Sequence, residues 1–290
     1  MQDILEQIEE WIKTFLIDCI TGNLSGMFDS VNQKVGEIAN EVGKTPGDWN
    51  SGVFSIIQNL AENVVIPIAG LILTFVLCYE LISMIIEKNN LHGDFETFML
   101  FKWIFKTFVA VYLVTHTFDI VVAVFELGQN VVHQSAALIG SDTALDFEAV
   151  MGGLMGELEA MEIGELFLLL IETSLIGLTM NALSICVMLV LVGRMIEIYI
   201  YCSIGPIPFA TMVNREWGSM GNNYLRGLVA LGLQGFFILV CVAVYTVLIQ
   251  GIASAQNLHL AIWSCAGYTV LLCYSLFKTG NISKSIFNVH

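Results

Sequence analysis

The sequence predicts an all-α polytopic membrane bundle. It has about five full spans, one proline-broken segment that is re-entrant or a sixth crossing, and an N-terminal amphipathic helix. Three observations predict this. The chain is 56% hydrophobic and 13% charged, whereas soluble domains carry about a quarter charged residues. Apolar stretches of about 20 residues, enough to cross a bilayer core, recur from Asn63 onward. One apolar run, 194–212, carries Arg194, Glu197 and a Gly205-Pro206-Ile207-Pro208 break. Proline removes a backbone donor and disfavours helix in the residue before it. In lipid each freed backbone group needs an internal partner, so such a break belongs where protein or a wet cavity surrounds it.

Residues 1–62 form a first region, an amphipathic helix followed by polar extracytoplasmic chain. Ile4, Leu5, Ile8, Trp11, Ile12, Phe15, Leu16 and Cys19 fall at helical spacing, with Glu6, Glu9 and Glu10 between them. An acidic opposite face does not suit an anionic leaflet, so the helix is expected at the outer interface or docked on a partner. The first twenty residues lack the basic and apolar regions of a cleaved signal, so insertion is expected to rely on internal segments. Residues 21–61 are polar, with Gly22, Gly26, Gly36, Gly43 and Pro46-Gly47, and short helices are expected there.

The membrane domain is 63–290. Its spans are expected at about 64–86, 101–125, 166–193, 227–250 and 258–277, with the broken segment at about 195–213. The loop 126–165 carries eight acids and no Lys or Arg, which places it outside. Lys88, Lys102 and Lys106 flank the first membrane turn and place it in the cytoplasm. If the broken segment dips in and returns, Arg194, Arg215, Arg226, Lys278 and Lys284 are cytoplasmic too. The N-terminus is then outside and the C-terminus inside, and Lys13, Lys34 and Lys44 must be exported.

Polar residues within apolar segments are candidates for function. Glu172 and Asn181 lie in the third span. Arg194 and Glu197, at i, i+3, share a helix face and could pair locally. Together with Gly205, Pro206 and Pro208 they are candidates for a structural break or a path lining. Gly227, Gly232 and Gly235 offer close helix packing. The net charge of −15 argues against nucleic-acid binding through a basic surface. The seven cysteines form no CxxC pair and read as small core hydrophobes. No HExxH, GxSxG or phosphate-binding glycine loop occurs. Neither catalytic residues, nor a cofactor, nor a metal is expected.

The run Arg194-Met195-Ile196-Glu197-Ile198-Tyr199, followed by Gly205-Pro206-Ile207-Pro208-Phe209-Ala210-Thr211-Met212 and Trp217-Gly218, resembles the TrbL-like family of conjugal transfer proteins. These are polytopic inner-membrane subunits of type IV secretion systems. The resemblance implies a channel or scaffold subunit in the bacterial cytoplasmic membrane that helps move DNA–protein substrates. It implies other secretion subunits and separate ATPases as partners, a homo-oligomer, and transient contact with the translocating substrate, with no catalytic residues to carry over. Competing readings are a small-molecule or ion transporter using the broken helix near Gly205–Pro208, and a membrane scaffold or immunity protein.

Overall fold

The computed structural model describes residues 2–87, 95–139, 155–252 and 258–289. Among them every regular element is helical and there is no strand. Helix α1 (Gln2–Val42) is one 41-residue helix, longer than the stripe at 1–20 predicts. Gly22, Gly26 and Gly36 do not interrupt it, because Ile20, Leu24, Met27, Phe28, Val31 and Ile38 are buried along its length. Tertiary packing outweighs the glycine propensity cost there. The stripe itself divides. Leu16 is buried, while Ile4, Leu5, Ile8, Trp11 and Phe15 stay exposed, with the Trp11 and Phe15 rings stacked at 5.8 Å. Further along α1, the hydrogen bond from Lys34 holds the Glu37 carboxyl below its usual range.

Short helices follow, α2 (Pro46–Trp49) capped by Thr45 and α3 (Ser51–Leu60) capped by Asn50. A π turn, Ala61–Val65, joins α3 to α4 (Ile66–Glu87) without ending the helix. Pro67 is the physical reason. A proline ring clashes with the carbonyl four residues back, here Asn63, and a wider turn relieves that clash. The first apolar helix therefore begins at Ser51 rather than near residue 64.

The expected second span, 101–125, is a kinked pair: α5 (Phe95–Thr115) and α6 (Thr117–Ile139). His116 N still donates to Tyr112 O, and Ile120 N to His116 O, so the chain bends rather than breaks. The hydroxyls of Thr115 and Thr117 bond back to carbonyls three and four residues earlier, an arrangement that bends helices. The acidic loop expected at 126–165 is helical up to Ile139 and again at 155–160. Asp142, Asp146 and Glu148 lie outside the described residues, as does Lys88.

Helix α7 (Ile163–Ile204) is continuous over 42 residues, about 63 Å. It joins the third span and the first part of the expected broken segment. After it come α8 (Pro206–Thr211), α9 (Gly218–Ile252) and α10 (Leu258–Ile286). Five helical stretches among the described residues are long and apolar enough to cross a membrane: Ser51–Ile86, Phe98–Thr115, Ile163–Ile204, Gly218–Gly251 and His259–Ile286. At six residues, about 9 Å, α8 is too short to be a crossing.

The chain divides into two compact units: Met1–Val42 with Gln134–Leu191 and Phe237–Lys278, and Gly43–His133 with Val192–Phe236 and Thr279–His290. The first is held by α1 against α7, with Asn23 Nδ2 donating to Thr173 Oγ1 at 3.1 Å, and by Tyr245 bonded to Thr269 at 2.9 Å. The second has a core of Leu73, Val76, Val114, Phe118, Val121, Ile198, Cys202, Phe209 and Leu228. Gln129 Nε2 donates to the Gly43 carbonyl within that unit, and the Tyr199 hydroxyl to that of Pro46 at 2.7 Å.

Candidate functional site

The proline break is built inside the second unit. Pro206 and Pro208 carry no N–H, so the carbonyls of Cys202 and Ile204 lose their helical donors. The Tyr201 carbonyl, at the last turn of α7, accepts from the Tyr224 hydroxyl at 2.6 Å. The two tyrosine rings stack at 5.3 Å. Gly205 is required by close approach: an added Cβ would sit 2.8 Å from both Thr117 Cγ2 and the Tyr224 hydroxyl. The break thus nests against the bend at His116. Gly205, Pro206 and Pro208 are all buried, and α8 packs against α4 and α5.

Beyond α8 the chain turns at 212–217. Asn214 organises this turn. Its Oδ1 accepts from the backbone N–H of Glu216 at 2.7 Å and of Trp217 at 3.2 Å, which occupies orphan donors ahead of α9. Trp217 stacks between Phe75 and Tyr79 of α4, at 5.7 and 6.1 Å. Asn214 Nδ2 donates to Glu80 Oε2 at 3.0 Å, and Lys106 Nζ lies 2.5 Å from Glu80 Oε1. One carboxylate therefore ties α4, α5 and the turn together.

Around that carboxylate is a cavity of about 690 Å³, lined by Tyr79, Glu80, Lys102, Lys106, Asn214, Arg215 and Glu216 among others. The Tyr79 hydroxyl donates to Glu216 Oε2 at 3.3 Å. Three cations face two carboxylates here, in a chain of net charge −15. The cavity sits where the ends of α4 and α5 meet the turn after α8.

Arg194 and Glu197 do not pair with each other. Glu197 bonds Lys284 at 2.5 Å, because α10 brings a cation of the C-terminal segment to its face. Arg194 is buried at 8% exposure and its Nε has no hydrogen-bond partner among the described residues. Its guanidinium lies against Gly235, where an added Cβ would be 3.0 Å from Nη2. Gly227 makes room for the Tyr201 ring, with Oη 2.6 Å from an added Cβ. Gly232 faces α6, and the tightest contact there belongs to Gly128, a residue the sequence reading did not single out. In the first unit Glu172 accepts from Trp263 Nε1 at 3.0 Å and meets His259 Nδ1 at 2.6 Å. Asn181 is exposed. No cluster of three or more His, Cys, Asp or Glu suited to a metal occurs among the described residues.

A sequence model of the family described as TrbL/VirB6 plasmid conjugal transfer like protein matches residues 31–206, more than half of the chain. The chain belongs to this family. It is therefore a subunit of a conjugal transfer, type IV secretion, apparatus, and a multi-pass membrane protein that associates with other components of that apparatus. No curated protein and no solved structure matches it. Within this TrbL/VirB6-like chain the matched region holds Glu80, Lys102 and Lys106 of the cavity and ends at Pro206, inside the break.

Sequence reasoning missed the Glu80–Lys106 pairing, the anchoring of the turn by Asn214, and the role of Tyr224. The first had a usable signal. In an antiparallel pair of helices, residues equidistant from the connection lie level, and Glu80 and Lys106 fall within about one helical turn of that about the 88–94 connection. The roles of Asn214 and Tyr224 depend on side-chain reach across elements, which spacing does not encode.

Proposed function

We propose that this chain is a channel or scaffold subunit that helps carry DNA–protein substrates across the bacterial cytoplasmic membrane, powered by separate ATPases. The N-terminus lies outside and the C-terminus in the cytoplasm. Family membership supports the secretion role. The observation that carries the topology is the cavity itself. It gathers Lys102 and Lys106, from the start of α5, with Arg215, from the turn after α8. This supports putting the start of α5 and the proline-break turn on one side of the membrane, and positive residues favour the cytoplasm. The short α8 supports a segment that returns rather than crosses, beside the five helices among the described residues that are long enough to cross.

In this reading the break is a buried hinge between α7 and α9 that fixes their packing on α4 and α5. Several copies, with other secretion subunits, would surround the path. The excess of acidic residues on the chain would repel DNA phosphates and favour passage over retention. The test is an in-frame deletion in the donor, with and without the gene restored in trans. Transfer frequency should fall by orders of magnitude on deletion and recover on restoration. Unchanged transfer by the deletion strain would overturn the proposal.

A further inference from the structure

The cavity between α4, α5 and the 212–217 turn holds more positive charge than its carboxylates use. Glu80 is already committed to Lys106 and Asn214, and Glu216 accepts from Tyr79. Among the described residues Lys102 and Arg215 have neither an ion pair nor a hydrogen bond, and both are exposed. An arginine fork and a lysine point charge on one concave wall suit a phosphate.

The surroundings say what kind of phosphate. Ile82, Ile85 and Ile86 of α4 and Phe98, Phe101 and Phe105 of α5 are exposed next to the cavity residues in sequence. Both helices are apolar enough to cross the membrane, with 22% and 11% of their spans buried. Acyl chains can therefore lie along α4 and α5, beside the cations that α5 and the 212–217 turn supply. Tyr79 and Trp103, in the lining, are the amphipathic aromatics found at headgroup depth. The cavity volume of about 690 Å³ falls in the range of small-ligand sites, and basic pockets between membrane helices take anionic headgroups.

We propose that this cavity binds the phosphate of an anionic membrane phospholipid, with Lys102 and Arg215 as its cations. The site requires only that the chain spans the membrane, so it stands or falls separately from the secretion role. It would let one lipid bridge α5 to the proline-break turn, two elements otherwise tied through Glu80.

The test uses the full chain purified in mild detergent and native mass spectrometry, titrating phosphatidylglycerol, phosphatidylcholine and inorganic phosphate. The wild type should retain phosphatidylglycerol in preference to phosphatidylcholine. The Lys102→Gln/Arg215→Gln variant should bind phosphatidylglycerol roughly thirtyfold more weakly. Lys102→Arg, which keeps the charge, should bind like the wild type, and so should Lys278→Gln, which removes a cation outside the cavity. If the double variant does not fold, the two single variants carry the test, each with a loss of about fivefold. Equal retention of both lipids by the wild type overturns the proposal, as does undiminished binding by the neutralised variants. Displacement of the lipid by millimolar inorganic phosphate would also overturn it, by making the site one for a soluble anion.

Discussion

Replacing Gly128 with alanine should destabilise the protein, while the same change at Gly232 should not. Both glycines lie where α6 passes α9 in the second unit, and both are buried. A Cβ added at Gly128 would stand 2.8 Å from the Gly232 carbonyl carbon and closer still to its oxygen. Non-bonded carbons rest at about 3.5–4.0 Å, so the helices must separate by roughly 1 Å. The obstacle is backbone, which cannot rotate away. Overpacking of this kind costs about 3 kcal/mol, offset by about 1 kcal/mol from alanine's better helix propensity. The net loss is about 2 kcal/mol. A Cβ added at Gly232 meets Val124 O at 3.5 Å and Val124 Cγ1 at 3.7 Å, ordinary contacts, so only the propensity gain of up to about 1 kcal/mol remains. Cys202, Cys265 and Cys273 are free and buried, so a thiol-reactive dye reports unfolding in detergent. Gly128→Ala should lower the midpoint by roughly 4–8 °C and Gly232→Ala should leave it unchanged or raise it by about 2 °C. Equal shifts, or a larger loss at Gly232, would refute the packing argument.

Tyr224→Phe removes the hydroxyl bonded to the Tyr201 carbonyl; such a hydrogen bond contributes about 0.5–1.5 kcal/mol, and the same dye assay should show a midpoint lower by a few degrees, whereas an unchanged midpoint would mean the bond does not hold α9 to α7. Pro206→Ala with Pro208→Ala should extend α7 through the break and displace α8 from α4 and α5, lowering transfer frequency at normal expression; wild-type transfer by a well-expressed double variant would sink the hinge role. For the partly exposed Lys106–Glu80 pair, a double-mutant cycle with Lys106→Met and Glu80→Gln should give a coupling of about 1 kcal/mol, and a coupling indistinguishable from zero would remove the pair from the account of how the turn is anchored.

The apolar segments were legible because bilayer thickness sets their length, and the break at Gly205 was legible because Pro206 and Pro208 lack the N–H a helix needs. Helix continuity was harder to read. Gly22, Gly26 and Gly36 predict interruptions in isolation, but the burial of Ile20, Leu24 and Phe28 overrides them. Conversely, nothing in the hydropathy of 101–125 reveals the bend at His116, which arises from threonine hydroxyls bonding back to the backbone. At the candidate site, spacing put Arg194 and Glu197 on one face and stopped there. Lys284, 87 residues away, takes Glu197 instead, and no local pattern anticipates a partner at that separation. The glycines show the same limit. Gly232 was visible as one of a series, yet the residue that cannot bear a side chain is Gly128, on the helix it meets.

The most direct test of the account is sidedness. In a cysteine-free background, single cysteines at Ser141, Ser219 and Ser285 would be labelled with an impermeant reagent from each side of the membrane. The account predicts labelling of Ser141 from outside only, and of Ser219 and Ser285 from the cytoplasmic side only. Labelling of Ser219 or Ser285 from outside would make the 195–213 segment a crossing and contradict the returning break on which the topology rests.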